Sequence, residues 1–118
     1  MIVGQHVGLE VARTAAGEEV AFWALLGFAE MVLADDLAGR ARWVERDGFQ
    51  VHLLFSDAPV VPAVGHVAIV VADYDAVVAR LRAAGHEAAP RTQYWGVPRT
   101  HVRSPAGHLV ELMAAAPG

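Results

Sequence analysis

Equivalent residues recur along the chain at a nearly constant separation. His6 and His66 stand 60 positions apart, Gly27 and Gly85 stand 58 apart, and Arg40 and Arg99, Gly48 and Gly107, and Leu53 and Leu112 are each 59 apart. In a chain of 118 residues a repeat of that period leaves room for two copies of one supersecondary unit and little else. The segment PVVPAVG over 59–65 reads as the connection, giving modules of about 1–58 and 65–118 within a single domain. That length suits one domain with a real core.

Both copies read as strand, helix, then three strands. In QHVGLEV (5–11) Val7, Leu9 and Val11 alternate with His6, Gly8 and Glu10, the period of a half-buried strand. GEEVAFWALLGF (17–28) places Val20, Trp23 or Ala24, and Gly27 at helical spacing, with acids in its first turn and Gly27 as the terminator. Strands are expected near 28–34 and 40–46, and Asp47-Gly48 predicts a tight hairpin into the strand DGFQVHLLF (47–55). In the second copy GHVAIVV (65–71) is a strand, and Asp73 is placed to cap a helix whose Tyr74, Val77, Val78 and Leu81 form one stripe ended by Gly85. HEAAP, RTHVRS (99–104) and HLVELM (108–113) supply the remaining strands.

Composition closes several chemical routes. Hydrophobic residues make up 55% and charged residues 19%, which favours a folded globule over disorder. The absence of cysteine removes disulfides, thiolate zinc sites and thiol nucleophiles, and the absence of lysine removes Schiff-base chemistry. Ser56 and Ser104, the only serines, lie outside any Gly-x-Ser-x-Gly elbow. With a net charge of −4 and dispersed arginines there is no electrostatic footprint for nucleic acid. No apolar run reaches the roughly 18 residues a membrane helix needs. MIVGQHV lacks a secretory pattern, so a cytoplasmic location is expected.

What is left is six histidines and thirteen carboxylates, and four of them share a pattern. His52 interrupts an otherwise apolar strand, and an imidazole left bare in an interior costs on the order of a few kcal/mol. On the repeat count His52 falls opposite Glu111, 59 positions later. His6 and His66 stand on the first strand of each module and His52 and Glu111 on the last, on faces opposite the apolar residues. Imidazole and carboxylate groups gathered in this way can bind Zn, Ni, Co, Mn or Fe(II). No organic cofactor is expected.

HVGLEV, FWALLGF, GHVAIVVADYDAVVARLRAAGHE and above all VRSPAGHLVEL give the chain its resemblance to the vicinal oxygen chelate superfamily, which includes glyoxalase I, bleomycin-binding resistance proteins and extradiol dioxygenases. The resemblance spans nearly the whole chain. It implies an α+β fold of two tandem βαβββ modules whose curved mixed sheets enclose a shared cavity with helices outside. It further implies His6, His66 and Glu111 as metal ligands, with His52 at the fourth position.

Three functional readings follow. The first is a glyoxalase-like lyase or isomerase in which metal-stabilised enolate chemistry uses Glu111 and His52 as catalytic groups. The second keeps only His6, His66 and Glu111 around Fe(II) or Mn(II), for oxygen chemistry or thiol addition. The third is a metal-free protein that binds a small molecule between aromatic walls. Trp43 can pack in the core or line the cavity, and the stretch RTQYWGVPR (91–99), with Tyr94, Trp95 and Arg99, can close over a substrate or form a dimer contact. Phe22 and Trp23 are expected in the core, His86 and His108 at the surface, and His101, alternating with Arg99 and Arg103, toward solvent or, as the alternative, toward substrate. The expected partners are a small-molecule substrate and a second copy of the chain.

Overall fold

The structure is a computed structural model describing residues 1–118. The chain divides into two units, Met1–Val61 and Pro62–Gly118. In the first unit β1 (His6–Val11) leads through a 3₁₀ turn at Arg13–Ala15 into α1 (Ala16–Leu25), followed by β2 (Ala29–Glu30), the short α2 (Asp35–Ala38), β3 (Ala41–Arg46) and β4 (Phe49–Phe55). The second unit runs β5 (His66–Val70), α3 (Tyr74–Ala83), β6 (Ala89–Pro90), β7 (Arg99–Arg103) and β8 (Leu109–Met113). Each unit holds one four-stranded mixed sheet, in the orders β1-β4-β3-β2 and β5-β8-β7-β6. The fold is therefore α+β, built from two tandem modules of the same design.

The registers coincide between the copies. The first and last strands pair in parallel, Leu9 beside Leu53 and Ile69 beside Leu112, and the remaining pairs are antiparallel. A parallel pair of this kind needs a crossover, which α1 and α3 provide. In the first unit α1 packs on β3 and β4, and Val11, Phe22, Trp23, Leu26, Val44, Val51 and Leu53 are buried together. Val67, Val77, Leu81, Val102, Val110 and Leu112 are the buried counterparts in the second.

Two turns show why the repeat includes glycines. Gly27 and Gly85 follow α1 and α3 at φ of +85° and +88°, a left-handed conformation open to glycine and costly for other residues. Asp47 and Gly48 both take positive φ, 50° and 83°, as the two-residue hairpin between β3 and β4 requires.

The structure corrects several local expectations. α1 buries Ala16, Glu19, Phe22 and Trp23, so both aromatic rings lie in the core as expected, while Val20 is half-buried and Gly27 exposed. The strand near 28–34 shrinks to two residues, and Asp35 and Asp36 open the unforeseen α2, where acids suit the positive end of a helix. Asp73 does not cap α3 through its side chain; its backbone carbonyl accepts the Val77 amide at 3.0 Å, and its carboxylate faces Arg80 at 3.4 Å.

Trp23 is 0% exposed and meets Phe22 and Phe28 edge to face. Trp23→Ala is expected to lower unfolding stability by about 3–5 kcal/mol. Val32→Ala, at a fully exposed position, is expected to change it by less than about 0.5 kcal/mol. Urea denaturation of both variants checks the contrast.

Candidate functional site

The strand alternation that buries Val51 and Leu53 turns Gln50 and His52 to the other face of the first sheet. There Trp43, the direct cross-strand neighbour of His52, stacks on its ring at 3.6 Å between centroids and 2° between planes. His6 stacks on His52 as well, at 4.1 Å and 11°. The Nε2–H of His52 donates to Oε1 of Gln50 at 2.8 Å, so its interior position is met by a protein hydrogen bond and two flat rings. This tautomer leaves Nδ1 of His52 with a lone pair. Burial, and then the neighbouring charge of His6, hold the His52 pKa below its ordinary value, which favours the neutral ring.

In the second unit the same face carries Glu111, whose side chain is only 9% exposed. His101 lies directly across the ladder from it and brings Nε2 to 3.1 Å from Oε1. Arg99 places Nη1 3.5 Å from Oε2, and its Nε donates to the Thr92 carbonyl at 2.6 Å. His66 approaches Oε1 at 3.3 Å through Nε2. Its Nδ1, however, lies 2.9 Å from the Val64 carbonyl, and a carbonyl can only accept, so Nδ1 holds the proton of the neutral ring. In that tautomer Nε2 of His66 carries a lone pair and stands 3.3 Å from Glu111 Oε1, close enough for one cation to reach both atoms. His6 shows the same anchoring, its Nδ1–H donating to Oε1 of Gln5, which leaves its Nε2 with a lone pair. An anchored second nitrogen is a common feature of metal-binding histidines.

The expected ligands thus lie on two units: His6 and His52 in the first, His66 and Glu111 in the second. Trp43 faces His52. Tyr94 and Trp95 lie in an irregular stretch, 71% and 48% exposed, and Arg99 sits 5.1 Å from the Tyr94 ring centre. His101, read as facing solvent or else substrate, is half-buried on Glu111. The repeat carried a signal for it, since His101 is 58 positions after Trp43, the residue paired with His52. His108 is also misplaced by the sequence: it is 3% exposed, because its amide donates to Ser104 Oγ at 3.1 Å and its carbonyl accepts the Ser104 amide at 2.9 Å, folding the Pro105–Gly107 turn inward. His86 is half-buried, its amide bonded to the Leu81 carbonyl at 2.9 Å.

The geometry meets a family pattern at this point. Residues 5–112 match the Glyoxalase/Bleomycin resistance protein/Dioxygenase superfamily, and the chain belongs to that family. No curated protein matches it. Among solved structures it is similar to a protein of the glyoxalase family from Bacillus anthracis, with 22% identity, a TM-score of 0.86, and coverage of 96% of this chain and 94% of the other. It is similar to the oxidase ChaP-H2 at 21% identity and a TM-score of 0.79, covering 99% and 96% of the two chains. The antibiotic-binding protein TnmS3 from Streptomyces sp. CB03234 shows 17% identity and a TM-score of 0.74, covering 96% and 95%. At these identities the likeness is one of fold.

Members of the family commonly hold a divalent metal. No group of three or more histidine and carboxylate side chains is arranged to hold an ion here. His66, His101 and Glu111 do cluster, but His101 turns an N–H and not a lone pair toward the carboxylate. Chemically, the atoms that fit a metal are Nε2 of His66, Oε1 of Glu111 and Nε2 of His6.

The depressed pKa of His52 has a defined consequence for stability. As pH falls below the ordinary imidazole value of about 6.5, the unfolded chain takes up a proton that the folded ring resists. The contribution is therefore fully present above that pH and lost as pH falls through the lower folded value. Urea midpoints measured at neutral and mildly acidic pH are expected to fall more for the native chain than for His52→Gln.

Proposed function

We propose that the chain is a glyoxalase-like, metal-dependent enzyme of lyase or isomerase type acting on a small oxygenated substrate. His6, His66 and Glu111 are its metal ligands, and His52 stands at the fourth position or beside the ion. The observation that carries this reading is the 3.3 Å approach of His66 Nε2 to Glu111 Oε1, with the other ring nitrogen of His66 anchored on the Val64 carbonyl. A divalent ion bound by these donors would stabilise negative charge developing on a substrate oxygen.

The chain's own groups supply the rest. His52 is kept neutral by burial, so its Nδ1 can take a proton from a carbon beside a carbonyl and return it. Stacking on Trp43 and His6 fixes the plane of its ring and so the direction of that lone pair. Arg99, against Oε2 of Glu111 and beneath the Tyr94 ring, favours an anionic substrate group next to the carboxylate. Tyr94 and Trp95 provide exposed aromatic surface for substrate. Leu54 and Val70, exposed apolar residues on the two sheets, support a homodimer, and we place the protein in the cytoplasm.

A metal-free small-molecule binder is the second reading, favoured by the parallel rings of His6, His52 and Trp43. Elemental analysis of protein purified without an affinity tag separates the two. The native chain and His86→Ala are expected to carry stoichiometric divalent metal, and Glu111→Ala to lose it. Retention by His52→Ala would place His52 beside the ion. A native chain that takes up no metal when supplied with zinc, nickel, cobalt, manganese and iron, while still quenching its tryptophan fluorescence with planar compounds, would contradict the enzyme reading.

A further inference from the structure

We propose that His101 is the positioning residue for Glu111: its Nε2–H fixes which carboxylate oxygen lies toward His66. The consequence for metal binding rests on the function proposed above, whereas the contact itself stands on geometry alone.

The contact is built into the sheet. His101 and Glu111 are directly opposed on antiparallel β7 and β8, where side chains of one face lie within about 4.5–5.5 Å at Cβ. The backbone therefore delivers the imidazole to the carboxylate whatever else binds nearby.

Three groups surround Glu111, and only one of them can donate to Oε1 while uncharged. Arg99 reaches the other oxygen, at 3.5 Å, and is tied back to Thr92. His66 commits its proton to the Val64 carbonyl, so its Nε2 cannot donate. His101, at 3.1 Å, is the remaining donor. A carboxylate held on one oxygen by an arginine and on the other by a single neutral N–H loses its fixed rotation when that N–H is removed.

Packing does not replace it. His101 also lines a cavity of about 290 Å³ bounded by Glu87, Ala89, Val102, Arg103 and Leu109. A shortened side chain would enlarge that space and remove the N–H at once, so loss of volume and loss of donor would not be separated. Donor identity, and not ring volume, is therefore the property under test, which sets His101→Phe against His101→Gln. Phenylalanine keeps the ring and lacks the N–H; glutamine keeps an N–H donor of similar reach.

Two measurements on the full chain test the inference. In the metal-free protein, at a pH where imidazole is neutral, long-range ¹⁵N–¹H spectra are expected to show His101 protonated at Nε2 and His66 at Nδ1. Glu111→Ala is expected to move the His101 ring signals and leave those of His86 in place, the latter reporting an intact fold. Titration with cobalt chloride, followed by calorimetry and by the visible spectrum, is expected to show roughly 10–100-fold weaker binding and altered bands for His101→Phe. His101→Gln is expected to return most of the affinity. Unchanged cobalt affinity in His101→Phe, an equal loss in His101→Gln, or His101 signals indifferent to Glu111→Ala would overturn the proposal. A native chain that binds no cobalt yet shows the His101 response to Glu111→Ala would remove the metal reading and support the positioning contact.

Discussion

A β-strand offers each residue one of two faces, and the candidate site exists because the opposite face is already taken. Val51 and Leu53 in β4, and Val110 and Leu112 in β8, are fully buried. With their burial fixed by the hydrophobic effect, the intervening His52 and Glu111 have no freedom to turn inward. A one-residue slip in either sheet would turn that sheet's polar group, His52 or Glu111, in among core side chains. The parallel pairing of first and last strands then sets His6 and His66 next to them in the same way twice.

The two copies answer one problem with different chemistry. At the position where the first unit has a neutral imidazole held between flat rings, the second has a carboxylate surrounded by nitrogen groups. A flat, weakly polar ring can be satisfied by one hydrogen bond and stacking, while a buried carboxylate needs charge or several donors. Trp43 and His101 occupy equivalent cross-strand places and differ accordingly. The repeat conserves the framework and lets each half carry its own electrostatics.

Much of this was legible in the residues. The offset of 59 located the modules, because each element of a tandem repeat must meet the same partners. Period-two alternation assigned His6, His52, His66 and Glu111 to the polar faces. Other features were beyond a linear reading. The burial of His108 came from a turn closed by the Ser104 hydroxyl, whereas that of Phe22 and Trp23 was expected. The partnership of Gln50 with His52, and of Val64 with His66, depends on which nitrogen faces which oxygen, a matter of side-chain rotation. His101 stays open between solvent and substrate in the sequence because one alternating strand, seen without its neighbour, does not show that β8 places a carboxylate across from it.

The central claim is that His66 Nε2 and Glu111 Oε1 together present electron pairs to one cation. Anomalous diffraction from crystals grown with cobalt tests it most directly. The account predicts a cobalt peak within about 2.0–2.3 Å of both atoms, the distances usual for nitrogen and oxygen ligands. A peak elsewhere, or none, with His66 turned so that Nε2 carries a proton onto Glu111, would contradict it.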